Sequence, residues 1–261
     1  MTMFISYLLL GALAGLIGGL LGLGGGIIIV PALLFLFIKQ GIHPDIQMHM
    51  ALATSLATII FTSMSSAYAH NRRGAVLWPT VFQLVPGIIL GCILGAWIAD
   101  QLESDNLRIA FGVFEIFVAL QVGLGIKPSA KRQLPGPYGN GLAGVILGSV
   151  STFLGIGGGT LSVPFFLWCN VNLRNAVATS SACGLPIALA GSATLIYAGL
   201  DSTVLPHNSL GYVYLPAAGT ILIASVLFAP LGARLAHAMP VPILRRIFAL
   251  VLASIGLRML Y

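Results

Sequence analysis

Charge is what this sequence has least of. Only 7% of its 261 residues are Asp, Glu, Lys or Arg, against 58% that are hydrophobic. A soluble domain carries about 25% charged residues, so the composition excludes one and reads as an integral membrane protein. No charged residue occurs between Phe4 and Ile38. The apolar runs are long and continuous and lack the ~10-residue alternation of barrel strands, which makes the spans helical. Cysteine is scarce as well. Cys92, Cys169 and Cys183 lie in apolar segments without metal-ligand spacing and read as small hydrophobes, not as a disulfide or a site. No Lys or Arg precedes the first apolar run, so a cleaved signal peptide is not expected. Catalytic signatures are missing: no H-E-x-x-H, no G-x-S-x-G, no intramembrane acid pair. The histidines sit at element ends without ligand spacing. Neither an enzyme nor a metal site nor a cofactor is expected. The net charge of +6 does not point to nucleic acid, because the bases cluster in the connections between apolar segments.

What is present in excess is glycine, and it is patterned. The stretch Gly22-Leu23-Gly24-Gly25-Gly26-Ile27-Ile28-Ile29-Val30-Pro31 returns as Gly155-Ile156-Gly157-Gly158-Gly159-Thr160-Leu161-Ser162-Val163-Pro164, with six of ten positions identical at an offset of 133. A glycine knot costs a helix backbone entropy. Two in corresponding places of two halves predict a duplicated transporter with broken helices at its binding site.

Ten apolar elements follow, at roughly 4–22, 26–38, 49–69, 76–98, 107–125, 138–155, 159–169, 175–198, 211–233 and 243–261. The second and seventh are short, either re-entrant hairpins with their predecessors or full spans with an irregular start. The repeat extends beyond the knots. Ala53-Thr54-Ser55 matches Ala178-Thr179-Ser180, Gly95-Ala96 matches Gly232-Ala233, and Leu107-Arg108 matches Leu244-Arg245. The expected organisation is a first transmembrane repeat (1–125), a cytoplasmic linker (126–137) and a second repeat (138–261). Equivalent loops reverse in sign. Arg72-Arg73 corresponds to 199–210, which holds Asp201 and no base; the acidic loop Asp100–Asp105 corresponds to 234–246, with Arg234, Arg245 and Arg246. Placing the basic loops in the cytoplasm puts nine of twelve Lys/Arg there and five of six acids outside. This is the positive-inside bias. It predicts an all-α membrane protein of two inverted repeats of about five elements each, both termini outside. The helices after the knots are expected to start near Val30-Pro31 and Val163-Pro164, since proline is tolerated in a first turn.

Inversion would bring both knots to the midplane. There the N–H groups of Gly24, Gly25, Gly26, Gly157, Gly158 and Gly159, with no side chain in the way, suit an anion. Small-residue helix packing is the plainer reading, and Gly11, Gly15, Gly18 and Gly22 are consistent with it. Thr54, Ser55, Thr179 and Ser180 are either neutral donors to the same anion or hydroxyls bonded back to their own helix. Glu115 is the only acid inside an apolar segment, which makes it a candidate for proton coupling or a satisfied structural carboxyl. Gln83 and Gln121 are weaker cases. Pro86, Gly87, Gly91 and Gly95, and Pro216, Gly219 and Pro230, mark kinked or close-packed helices.

The repeated G-x-G-G-G-x-x-x-V-P, each followed by an A-T-S step, resembles the TauE/SafE family of bacterial sulfite and organosulfonate exporters over essentially the whole chain. The resemblance implies transport of sulfite or a similar small anion through the inner membrane, usually outward. It maps the family's glycine motifs onto Gly22–Pro31 and Gly155–Pro164 and its hydroxyl steps onto Thr54-Ser55 and Thr179-Ser180. Glu115 matches no motif of the family. The partners expected are a small anionic substrate and the lipid bilayer, with room for a homo-oligomer and none for nucleic acid. An anion channel, a transporter of another oxyanion, a membrane scaffold and a membrane enzyme are the competing readings. A scaffold needs no symmetric polar centre, and an enzyme needs an acid–base or nucleophile pair.

Overall fold

The computed structural model describes residues 2–21, 25–124, 133–238 and 241–261. Ten helices occur among them: α1 (Thr2–Leu21), α2 (Gly26–Lys39), α3 (Pro44–Asn71), α4 (Trp78–Asp100), α5 (Ser104–Gly123), α6 (Pro137–Phe153), α7 (Gly159–Trp168), α8 (Leu173–Gly199), α9 (Leu215–Ala238) and α10 (Val241–Leu260). The expected all-α architecture is observed, with an element for each apolar run. Four helices, α3, α4, α5 and α8, are long and apolar enough to cross a membrane. At 1.5 Å per residue, the 14 residues of α2 and the 10 of α7 reach only about 21 and 15 Å, against a hydrocarbon core of ~30 Å.

Three boundaries differ from expectation. First, α3 begins at Pro44, five residues early, because proline at the first helical position and Asp45 in the first turn suit a helix start. Second, 209–214 is not helix. Ser209–Leu210 and Val213–Tyr214 pair antiparallel as β1 and β2 ahead of α9. Gly211 turns between them at φ +52°, where any side chain would strike the Ile196 carbonyl. Third, α2 and α7 begin at the knots themselves, so Pro31 and Pro164 lie inside the helices instead of opening them. Gly25 breaks the chain before α2 in the left-handed region, at φ +75°, which only glycine adopts without strain.

Glycine sets the helix pairing. A Cβ on Gly11 would lie 2.6 Å from the Ile221 carbonyl oxygen, and one on Gly15 2.7 Å from Ser225 Cα. Bare backbone thus lets α1 lie along α9. Across α4 and α6 the same fit runs in both directions: Gly87, Gly91 and Gly95 meet the carbonyls of Gly141, Val145 and Ser149, and Gly144 and Gly148 meet those of Leu84 and Ile88. This is the small-residue packing expected at Gly87, Gly91 and Gly95. Gly219, by contrast, faces open space. Asn140 adds a polar tie, donating to Gln83 Oε1 at 2.6 Å.

The residue registers also fix direction. Contacts of α1 with α9 and of α4 with α6 advance together along both chains, so each pair is parallel. In α3 and α8 they run oppositely: Ser66 Oγ donates to Ser181 Oγ, Ser63 lies beside Gly184, and Leu56 beside Gly191. In α5 and α10, Arg108 reaches the Met259 carbonyl, Gly112 lies against Gly256, and Gly123 against Ala249. Both pairs are antiparallel. The core is centred on α3, with Met48, Met50, Leu52, Leu56 and Ile59 fully buried. Large apolar side chains such as Phe82, Trp97, Phe117 and Leu250 are exposed, as a lipid-facing surface requires.

Candidate functional site

The two glycine knots meet. A Cβ on Gly26 would lie 3.2 Å from the Gly155 carbonyl oxygen and from Ile156 Cα. Gly25 and Gly26 are buried, as are Gly155, Ile156, Gly157 and Gly158, while Gly159 is partly covered. Gly22 and Gly24 lie outside the described residues, so the first knot is seen only from Gly25 onward.

The second knot is built by a helix end and a helix start. α6 closes with Gly155 in the left-handed region at φ +63°, with Gly155 N–H donating to the Thr152 carbonyl and Ile156 N–H to the Ser151 carbonyl. That is a Schellman ending, which glycine makes without side-chain strain. After three further residues α7 starts at Gly159. Each short helix thus begins inside the bundle, and a helix's first-turn N–H groups have no partner within it. Their summed dipole favours an anion at that end. Proline inside each helix has a further effect: lacking an N–H, Pro31 and Pro164 leave the carbonyls of Ile27 and Thr160 without their usual helical donor.

The A-T-S steps sit beside the knots, and their hydroxyls are engaged with backbone. Ser55 Oγ donates to the Gly155 carbonyl at 2.8 Å, from α3 of one half to the knot of the other. Thr54 Oγ1 accepts the Tyr214 N–H at 3.0 Å, and Thr179 Oγ1 accepts the Leu77 N–H at 3.1 Å. Tyr214 and Leu77 are the residues immediately before α9 and α4. The two threonines therefore do the same work in the two halves, fixing the chain where it enters the next helix. All three hydroxyl residues are fully buried. Ser180, the counterpart of Ser55, is buried with no partner among the described residues. The carbonyl that would match Gly155 is that of Gly22, outside them.

Several residues near the knots carried no sequence signal strong enough to single them out. Ile59 of α3 is fully buried and fills the space between the knots, with its Cδ1 2.7 Å from a Cβ placed on Gly26 and its Cγ2 3.2 Å from one on Gly157. An isoleucine in an apolar helix is indistinguishable by sequence from core. Ser151 and Thr152 end α6, and Ser162 lies in the first turn of α7. All three hydroxyls are fully buried and unpartnered among the described residues. Their counterparts Gly18, Gly19 and Ile29 carry no hydroxyl, so a search for repeated polar steps passes over them. The second knot is the more polar of the two.

Glu115 lies apart, on α5. It is fully buried, neither carboxylate oxygen has a partner among the described residues, and its Cβ lies 3.2 Å from the Cβ position of Gly256 on α10. It shares no element with the glycine knots or the A-T-S steps.

The profile of the family described as sulfite exporter TauE/SafE matches residues 7–259. A probable membrane transporter protein of Haemophilus influenzae is 34% identical over 99% of this chain and 98% of its own length. The probable membrane transporter protein YunE of Bacillus subtilis is 32% identical over 62% of this chain and 66% of its own. A probable membrane transporter protein of Methanocaldococcus jannaschii is 26% identical over 97% and 94%. No solved structure matches. With two glycine knots meeting between paired helices and a family match spanning nearly every residue, the chain belongs to the sulfite exporter TauE/SafE family of membrane transporters.

Proposed function

We propose that the protein is a secondary transporter that carries a small oxyanion, sulfite or an organosulfonate, outward across a bacterial inner membrane. The observation that carries this reading is the meeting of the two knots, each opening a short helix inside the bundle. Amide N–H groups and hydroxyls are neutral donors. They hold an oxyanion without a counter-charge and release it again, as a carrier must. The substrate site comprises Gly24, Gly25, Gly26, Gly157, Gly158 and Gly159, with Thr54, Ser55, Thr179 and Ser180 shaping it from α3 and α8. Because Ile59 fills the gap between the knots, access requires α3 to shift relative to them. Glu115 is proposed to carry a coupled proton.

In this reading residues 1–125 and 138–261 are inverted repeats joined by a cytoplasmic linker at 126–137, with both termini outside. The helix directions support it. If ten elements alternate in direction, α1 runs parallel to α9 and α4 to α6, while α3 opposes α8 and α5 opposes α10. These are the four relations found in the bundle. A re-entrant hairpin of α1 with α2, or of α6 with α7, alternates in direction in the same way, so these relations hold for either form of the short helices.

The test is flux into proteoliposomes over a panel of sulfite, sulfoacetate, thiosulfate, sulfate and nitrate. Saturable counterflow of sulfite or sulfoacetate, with little for nitrate, is expected. Transport of none of the panel would reject the reading.

A further inference from the structure

The positive-inside assignment leaves three cations at the opposite end of the bundle, Lys39, Arg108 and Arg258; Arg108 and Arg258 line one groove, and Lys39 sits over Phe35 at its edge. Lys39 ends α2, Arg108 lies in the second turn of α5, and Arg258 is in the last turn of α10. Lys39 Nζ sits 4.4 Å from the centroid of the Phe35 ring and Arg258 Cζ 4.7 Å from it. Two like charges thus converge on one partly exposed aromatic side chain. Cation–π attraction holds each weakly at an exposed site, and their mutual repulsion opposes the arrangement. Phe35, Arg108 and Arg258 line the mouth of a groove of about 270 Å³.

Below the mouth the lining is apolar: Ile28, Pro31, Ala32 and Leu34 of α2 face Ile255 and Met259 of α10. From Ile38 to Ile28 the groove follows ten residues of α2, about 15 Å of helix, or half the ~30 Å hydrocarbon core. One leaflet has that depth. The nearby carboxylates line an adjoining depression instead. Asp105 pairs with Arg108 at 3.3 Å, Asp45 lies 3.4 Å from His43, and both line that depression with Glu103. Lys39 and Arg258 have no carboxylate partner among the described residues and contribute the remaining positive charge. Apolar walls of this length are a poor path for a hydrated oxyanion, but they match an acyl chain beneath a phosphate.

We infer that this groove between α2, α5 and α10 binds an anionic phospholipid, with its headgroup phosphate at Lys39, Arg258 and Arg108 and one acyl chain along α2. The site is separate from the transport reading and does not depend on it.

The test uses the purified full chain in neutral detergent, with bound lipid counted by native mass spectrometry during titration with dioleoyl phosphatidylglycerol, phosphatidylethanolamine, phosphatidylcholine or inorganic phosphate. Phosphatidylglycerol should be retained selectively. The double variant Lys39→Gln/Arg258→Gln should bind it roughly thirtyfold more weakly, at about fivefold per cation. Arg108 is left in place because it also holds the Met259 carbonyl. Ala32→Phe fills the groove without changing charge and should also displace the lipid. Gel filtration reports that both variants remain folded. Equal retention of the three lipids would overturn the inference, as would full competition by inorganic phosphate. Unchanged binding in either variant would do the same.

Discussion

Ser55 on α3 donates its hydroxyl to the carbonyl of Gly155, 2.8 Å away in the second glycine knot. The bond ties the polar step of one half to the helix break of the other, at a point where both residues are buried. Ser55→Ala leaves a buried carbonyl unpaired and should cost about 1–3 kcal/mol. Thr54→Val and Thr179→Val orphan the N–H groups of Tyr214 and Leu77 and should cost about the same. Thr→Ser at either position keeps the acceptor and should restore most of the loss. Thermal unfolding in detergent reads all of these. Unchanged melting in the valine variants would mean that these bonds do not hold the helix entries.

Gly91 and Gly219 make opposite predictions from the same residue type. Gly91 lies against the Val145 carbonyl of α6, whereas Gly219 faces open space. Gly91→Leu should cost about 3 kcal/mol or more by overpacking and should sharply reduce recovery of monodisperse protein. Gly219→Ala should be neutral or stabilising by up to about 1 kcal/mol, since alanine is the better helix former. Similar yields and melting temperatures for the two would contradict the close α4–α6 fit.

The reach of the sequence can be seen at particular residues. Each apolar run became a helix because its length and lack of charge leave the backbone little else to do in lipid. The offset of 133 between the knots corresponds in the fold to Gly11 and Gly15 packing on α9 as Gly144 and Gly148 pack on α4. The start of α3 was missed because Asp45 and Gln47 are polar, although the end of a span leaves the lipid. The hairpin at 209–214 was hidden because Tyr212 and Val213 are as apolar as helix. Ile59 was missed because only tertiary packing brings it to the knots. Ser151, Thr152 and Ser162 were missed because their counterparts in the first half, Gly18, Gly19 and Ile29, carry no hydroxyl to repeat.

The proposed topology places the N-terminus, residues 103–105, 202–205 and the C-terminus outside, and residues 72–73 and 129–132 in the cytoplasm. Single cysteines at these positions, in a background without Cys92, Cys169 and Cys183, should be labelled by an impermeant maleimide only in the first group. Labelling of both 72–73 and 103–105 from the same side would reject the inverted arrangement.

Glu115→Gln keeps the size of the side chain but cannot release a proton. If Glu115 carries the coupled proton, the variant should still bind the anion, and its flux should no longer depend on a pH gradient. If the carboxyl is only structural, coupling stays intact and the melting temperature alone moves. Paired flux measurements with and without the gradient separate these outcomes. A wild-type flux indifferent to the gradient would remove Glu115 from the mechanism whatever the variant does.

If the knots hold the anion, a side chain at Gly157 should obstruct it. Among the described residues a Cβ there would meet only Ile59 within 4 Å, at 3.2 Å from its Cγ2, and the residue does not lie in the left-handed region. A side chain there occupies the space between the knots and needs the Ile59 side chain to give way by a few tenths of an ångström. Counterflow of labelled sulfite should be measured in proteoliposomes holding equal amounts of wild type and Gly157→Val, each checked for an unchanged melting profile. Saturable counterflow is expected of the wild type, and a loss of at least tenfold in the variant. Counterflow by folded Gly157→Val equal to that of the wild type would show that the glycine knots pack helices and do not bind the substrate.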